Sequence, residues 1–444
     1  MFNEKMKRHL KRNAMIGTAA ASLLGSLAPF SASVVQAEDL EVDAEASITV
    51  DFDTGQILQG QAIDEPLGIA SMTKMIAEYI LFQEIEAGNI SWDTEVEISD
   101  YAYQISQNYA LSNVPLRNDG TTYTVEELYE ALAIYSANGA TIALAEAISG
   151  SEPAFVDRMQ ETVESFGVTD AFLVNSTGLN NSDLQGNIYP GSEETDENMM
   201  SARSSAIVAD RILRDYPEIL DVASIPTKTF REDTVDAVDM INWNWMLPGM
   251  INERENVDGL KTGTTIFAGS TFTGTAEEDG RRLITVVLNS GDDKTTRFVE
   301  TDKMMDFGFS QWEMQNVTDH WDTAIEYEPL TVANGKEDAV NFEPSKTLEM
   351  LVQLGDNVEE EVNYSIIWNP EIVSEDGVVE APVAEGMELG ELVVEYSGNE
   401  HGYLDEEKVT SVPLVTSEAV DKVGIFGQAW NWMASFFDSI VSRF

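Results

Sequence analysis

The chain has 444 residues, 43% of them hydrophobic, enough for more than one buried core and for two or three domains. It has no cysteine and three scattered histidines, His9, His320 and His401. That excludes disulfides, thiol nucleophiles and thiolate zinc sites, and leaves little room for a Ser-His-Asp triad or a paired-histidine metal site. Acids outnumber bases 79 to 25, and the formal net charge of −54 argues against nucleic acid as a partner.

Residues 1–37 carry Lys5, Lys7, Arg8, Lys11 and Arg12, an apolar run of small residues from Ala14 to Leu27, then Pro29 and a Val35-Gln36-Ala37 end. This is the pattern of a secretory signal peptide removed on export. An uncleaved anchor is the alternative, but the apolar core is short and interrupted by Pro29. Without the leader the net charge is about −58, a self-repulsion that screening must relieve. The acids spread along the whole mature chain, which fits life in strong brine, where the screening length falls to about 3 Å at 1 M salt, better than a solubilising tail.

Ile48, Val50 and Phe52 alternate with polar residues, and the turn Asp53-Thr54-Gly55 leads into Gln56-Ile57-Leu58, a β-hairpin. From Ser71 to Glu86 the apolar residues Met72, Met75, Ile76, Ile80, Leu81 and Ile85 recur at helical spacing. Helical stretches such as Val125 to Ile134 and Thr141 to Ile148 alternate with polar loops such as Asn175 to Ser192. Strands return at Val257 to Thr264, Ser270 to Ala276 and Leu283 to Leu288, joined by turns short enough to make them antiparallel neighbours. Strands on either side of a helical block predict an α+β layer of helices on an antiparallel sheet over residues 38–315. Short runs such as Thr347 to Leu354, Val362 to Trp368 and Glu391 to Tyr396 predict a small β-sandwich domain over 316–415. In 416–444, Val423, Phe426, Trp430, Met433, Phe437, Ile440 and Phe444 share one helical face. That is an amphipathic helix, to be laid on a membrane surface or docked on its own β-domain.

Three short motifs carry chemistry. Ser71-Met72-Thr73-Lys74 stands at a helix start, where residues i and i+3 share a face, so a hydroxyl and an amine can exchange a proton. A serine attacks only once something takes its proton, and lysine does so if desolvation or a cationic neighbour keeps its amine neutral. Alone, the tetrapeptide reads equally as an exposed helix-start serine with a solvated lysine. Ser136-Ala137-Asn138 interrupts two helical patterns; Ser136 can hand a proton to a leaving amine and Asn138 can hold a carbonyl or Lys74, or either can simply cap the next helix. Lys261-Thr262-Gly263-Thr264 lies in a strand: a cation, two hydroxyls, and a glycine that would let an extended peptide approach closely. A lysine that protects an edge strand from aggregation is the bland alternative. The set decides, because S-x-x-K, a Ser/Asn element and K-T-G occur together, in this order, in penicillin-binding proteins and class A β-lactamases.

With these motifs, Asp53-Thr54-Gly55, Asn175-Ser176-Thr177-Gly178-Leu179 and Val257 to Thr265, the sequence resembles the low-molecular-mass penicillin-binding proteins, serine-type D-alanyl-D-alanine carboxypeptidases of the secreted Gram-positive kind. The resemblance covers roughly residues 40 to 310. It implies a β-lactamase/penicillin-binding (transpeptidase-like) fold, α+β, followed by the β-domain and a membrane-anchoring helix at the outer face of the cell membrane. It also implies peptidoglycan stem peptides as substrate, covalent binding of β-lactam antibiotics and no cofactor or metal. Ser71 would be the nucleophile, Lys74 the general base and Ser136 the proton relay. Asn138, Lys261, Thr262, Gly263, Thr264 and Arg297 would hold the substrate. A β-lactamase or esterase on the same scaffold is disfavoured because no Glu-x-x-Leu-Asn element is found; a non-catalytic wall-binding scaffold would have no reason to keep the three motifs together.

Overall fold

In the computed structural model, which describes residues 40–325, 327–405 and 408–424, the first hairpin is β1 (Ala46–Asp51) and β2 (Ile57–Gln61). Its alternation of apolar and polar residues predicts one solvated face, yet all six residues of β1 are buried, Ser47, Thr49 and Asp51 included. The reason is coverage from both sides. The helices are α1 (Lys74–Glu86), α2 (Asp100–Ser106), α3 (Val125–Tyr135), α4 (Asn138–Ser149), α5 (Glu152–Ser165) and α6 (Ala202–Asp215). They precede β3 (Val257–Thr265), β4 (Gly269–Glu278), β5 (Arg281–Leu288) and α7 (Thr296–Ser310).

The five strands form one antiparallel sheet in the order β2-β1-β5-β4-β3, so the hairpin near the N-terminus is zipped to the last strand, with Ile48 opposite Val286. The alternation along β5 sorts its side chains: Ile284, Val286 and Leu288 join the main core with α6, while Val287 meets Met304 of α7. The sheet is therefore helix-covered on both faces, as an α+β three-layer arrangement requires. Within the main core α1 is apolar nearly all round and is wrapped by α3, α4, α5 and α6, the burial expected of a central helix.

From Trp312 onward the chain is built of short strands around a second apolar cluster that includes Val332, Phe342, Leu351, Leu392 and Leu414. Strand Trp312–Asn316 already pairs with Glu349–Gln353, so this region starts a few residues before 316. At its other end the expected helix does not begin at 416. Thr416 closes the strand Ser411–Thr416, Val420 bridges to Val383, Lys422 bridges to Gly335, and the Val423 amide donates to the Asn334 carbonyl at 2.9 Å. Val420 and Lys422 make isolated bridges beyond the last strand, and the first of them buries the Val420 side chain. Residues 1–39 and 425–444, with the expected leader and most of the expected amphipathic helix, lie outside the described residues.

The surface cations are shared among several acids. Arg254 meets Asp302, Asp306 and Glu278, and Arg282 meets Asp258 and Glu277. Most carboxylates are thus left to repel one another. Exposed pairs contribute little each, so screening the net repulsion outweighs screening the pairs. The melting temperature should rise from low to molar NaCl; a flat or falling curve would show that the ion pairs dominate.

Candidate active site

The helix expected to start at Ser71 begins instead with a tight 3-10 turn, Ala70–Thr73, that feeds α1. Ala70 stands in the left-handed region at φ 46, a strained conformation that neighbouring backbone enforces. A methyl group on Gly178 would lie 1.8 Å from the Ala70 carbonyl oxygen, and one on Gly263 would lie 2.6 Å from the Ile69 carbonyl oxygen. Gly263 is a glycine for this reason: the backbone that approaches it is the chain's own serine turn. The sequence reading had assigned that role to an extended substrate.

Lys74 is fully buried; its Nζ stands 2.9 Å from Ser71 Oγ, with which it shares a hydrogen, and donates to Asn138 Oδ1 at 2.8 Å and the Thr177 carbonyl at 2.7 Å. Burial, and then the charge of Lys261, push its amine well below the ordinary lysine range. Desolvation penalises the charged form, so Lys74 is the amine in the site most readily neutral. Across the cleft Lys261, buried on edge strand β3, donates from Nζ to Ser136 Oγ at 2.9 Å and to its neighbour's carbonyl, Thr262, at 3.3 Å. It is thus no solvent-facing guard of the edge. Burial lowers its amine too, against the opposing pull of Glu78.

Neither Ser136 nor Asn138 caps α4 with its side chain. Ser136 closes α3 in the left-handed conformation, φ 57, and α4 starts at Asn138, earlier than expected, after Ala137 with no side-chain cap. The left-handed residue swings the Ser136 hydroxyl toward Lys261. Asn138 is fixed at its other end by Nδ2 donating to the Ser112 carbonyl at 3.0 Å.

Three further residues brace this geometry and were not singled out from sequence spacing. Asn175 Oδ1 accepts from the amides of Thr177 and Gly178 at 3.1 and 2.7 Å, shaping the loop that presents the Thr177 carbonyl. Asn198 Nδ2 donates to Thr73 Oγ1 at 3.0 Å and to the Asn175 carbonyl at 2.8 Å, tying that loop to the serine turn. Glu152 accepts from the Ser176 amide and hydroxyl at 2.9 and 2.6 Å and from Tyr101 at 2.7 Å. Asn175 was visible only as part of a quoted pattern; Asn198 and Glu152 carry no local signal.

A cleft of about 1160 Å³ opens over the site, lined by Ser71, Ser136, Asn138, Thr262, Gly263, Thr264 and Arg297. Arg297 is buried in the first turn of α7, and Nη1 donates to the Gly263 carbonyl at 2.7 Å, Thr264 Oγ1 at 3.0 Å and the Thr271 carbonyl at 3.2 Å. Burial brings its guanidinium down to about 10. It is a brace behind β3 as well as a cation at the cleft. Neither described histidine lines the cleft; His320 stands by Glu359 and His401 by Gly60.

A serine hydroxyl bonded to a buried, proton-poor amine, facing a second lysine–serine pair, is machinery for acyl transfer. Residues 32–292 match the family profile described as D-alanyl-D-alanine carboxypeptidase, more than half of the chain. The chain belongs to the D-alanyl-D-alanine carboxypeptidase family. The carboxypeptidase DacF of Bacillus subtilis is 28% identical over 387 residues, covering 87% of this chain and 88% of DacF. The crystal structure of a peptidoglycan synthesis regulatory factor (PBP3) from Streptococcus pneumoniae is 36% identical with a TM-score of 0.65, covering 86% of this chain and all of that one. Penicillin-binding protein D2 of Listeria monocytogenes, solved in its ampicillin-bound form, is 26% identical with a TM-score of 0.51, over 62% of this carboxypeptidase and all of D2. The α+β penicillin-binding fold is thereby shown.

The backbone contact at Gly178 gives a test of the brace. Gly178→Ala adds a left-handed penalty and a clash with Ala70, and should destabilise the fold by about 2–4 kcal/mol in urea titrations. It should also slow acylation of Ser71 by benzylpenicillin. Unchanged values for both would show that the loop and the serine turn yield freely.

Proposed function

We propose that this serine-type D-alanyl-D-alanine carboxypeptidase removes the terminal D-alanine of peptidoglycan stem peptides through an acyl-enzyme on Ser71. The observation that carries the assignment is the Lys74 amine, buried, depressed and 2.9 Å from Ser71 Oγ. Lys74 takes the hydroxyl proton as Oγ attacks the carbonyl carbon of the penultimate D-alanine. The backbone N–H groups of Ser71 and Thr264 receive the oxyanion, a contribution of about 3 kcal/mol per donor in comparable sites. The C–N bond breaks, and Ser136, bonded to Lys261, passes its proton to the departing D-alanine amine and takes in turn the proton that Lys74 removed from Ser71, which leaves Lys74 neutral again. Lys261, Thr262, Thr264 and Arg297 meet the substrate's terminal carboxylate, and Asn138 orients Lys74 and the peptide. Water then adds to the ester, giving up its proton to Lys74, and Lys74 returns that proton to Ser71 Oγ as the C–O bond breaks and the shortened peptide leaves.

A β-lactam undergoes the same attack, but its amine stays tethered to the acyl group, so the adduct should persist. A carboxylate free to activate water would favour the β-lactamase reading. Glu152, the buried carboxylate nearest in role, spends both oxygens on Ser176 and Tyr101. Mass spectrometry after benzylpenicillin should find one covalent adduct, on the peptide containing Ser71. Ser71→Ala should lose both the adduct and D-alanine release while changing stability by under about 1 kcal/mol. Labelling that survives the substitution would place the nucleophile elsewhere.

Export by residues 1–37 and attachment of residues 425–444 to the outer face of the membrane complete the proposal. Lys422 and Arg443 are the cations of the tail, and Lys422 already lies 3.6 Å from Glu380, so attachment would rest on apolar burial, about 1.5–3 kcal/mol per large side chain before ordering costs. No helix among the described residues is long and apolar enough to cross a membrane. Because Val420, Lys422 and Val423 are bonded to Val383, Gly335 and Asn334, the informative truncation ends at Gly424, and not near Val415. The truncated protein should keep its turnover on a short D-Ala-D-Ala peptide and stop floating with liposomes, whereas the full chain should float even at high salt. Salt-stripped binding would make the tail an electrostatic tether.

A further inference from the structure

Nine consecutive residues of α1, Lys74 to Phe82, are buried, and two of them bear charge: Lys74 and Glu78. Glu78 stands one helical turn beyond Lys74 on the same face, on the helix that packs against β3, the strand carrying Lys261. A carboxylate is costly to bury unless a cation answers it. Burial drives the Glu78 carboxyl upward, and the charges that oppose this are Lys261 first and Lys74 second. The relation is mutual, since Glu78 is the leading charge raising both Lys261 and Lys74.

The other groups around it are accounted for. Tyr129 of α3 has a buried hydroxyl with no partner and feels Glu78 more than any other charge. Glu152 of α5 acts on Lys74 more weakly and is committed to Ser176 and Tyr101 of α2. Glu146 of α4 interacts with Glu152, Asp215 at the end of α6 accepts from Tyr79, and Arg297 of α7 lowers Lys261. The reaction assigned above needs one lysine neutral and the other charged, in one dry pocket that also holds Arg297. Two amines alone would depress each other, and nothing in the motifs themselves breaks the tie.

We propose that Glu78 is a positioning residue of this site: its carboxylate is the counter-charge that keeps Lys261 protonated while Lys74, held by Ser71, Asn138 and Thr177, stays neutral. The inference rests on the catalytic reading of Ser71 and Lys74. Glu78, Lys74 and Lys261 then titrate as one coupled unit, active where Lys74 has lost its proton and Lys261 has kept its own.

The test is the pH profile of Ser71 acylation by benzylpenicillin and of kcat/KM on a D-Ala-D-Ala peptide, measured on the full chain and on Glu78→Gln and Glu78→Asp. Removing the negative charge lowers both lysines, so in Glu78→Gln both limbs should move to lower pH by about one unit or more. Glu78→Asp keeps the charge and should keep the limbs in place even if the rate falls. Limbs unmoved in Glu78→Gln would overturn the proposal, because a merely structural carboxyl leaves them where they are. Should Glu78→Gln not fold, infrared spectroscopy of enzyme labelled with carboxyl-13C glutamate decides, the Glu78 band being assigned by its loss in Glu78→Asp. Ionisation within the active pH range is expected; a carboxyl that stays protonated throughout would overturn the proposal. If wild-type Ser71 takes no penicillin at all, the catalytic reading falls and Glu78's role with it.

Discussion

The proposed mechanism asks an amine to act as a base near neutral pH, so that amine has to be kept from its own proton, and in this protein that task falls to burial. Lys74 lies in the most enclosed part of the main core, at the start of a helix that is apolar on nearly every side. Four helices around α1 keep water away, and the charge of Lys261 pushes in the same direction. Desolvating a lysine costs stability, and the three hydrogen-bond partners around Nζ offset part of it. Those partners come from the serine turn, from α4 and from a loop 103 residues further along the chain. The fold as a whole is the means by which they converge.

Convergence of this kind requires backbone to touch backbone. The serine turn is pressed by Gly178 on one side and Gly263 on the other, at distances no side chain would permit. Ala70 accepts a left-handed conformation under that pressure, and Asn198 ties the same turn to the loop that carries Thr177. The hydroxyl–amine distance of 2.9 Å at Ser71 is therefore fixed by contacts that are mostly main chain, which a rotamer change cannot relax.

Much of this could be read from the sequence, and what could not has a physical explanation. The three motifs were legible because each is a short local pattern, Ser71 with Lys74, Ser136 with Asn138 and Lys261 with Gly263, at or near element boundaries that periodicity marks. The five-stranded sheet was legible in β3, β4 and β5, whose turns are short. The two-sided burial of β1 was not, because Ser47 and Thr49 are small enough to be buried yet read as solvent-facing. The bridges at Val420 and Lys422 were hidden by an apolar period that starts at Val423 and suggests one helix. Glu78 was hidden because a single acid among apolar residues at helical spacing looks like an interruption of the pattern. Asn198 meets Thr73 across 125 residues, and no spacing rule connects them.

The charge distribution follows the same division between surface and interior. Carboxylates on the outside act through water, and their field decays within about 10 Å at 0.1 M salt and about 3 Å at 1 M. Lys74, Lys261 and Glu78 act on one another through the protein interior, where salt does not reach. Ionic strength can therefore govern how comfortable the fold is and how readily an anionic peptide approaches, without altering which lysine holds the proton. At the cleft itself the approach is graded: Lys294 lies over the ring of Trp243 at 5.0 Å, beside the exposed Asp292, while Arg297 stands deeper behind Thr264. An anionic terminus that has crossed the acidic exterior meets the positive charge of Lys294 and Arg297 on entering the cleft that Ser71 lines. A strongly acidic protein can in this way take an anionic substrate, since the attraction is short-ranged and placed where the repulsion has already been screened.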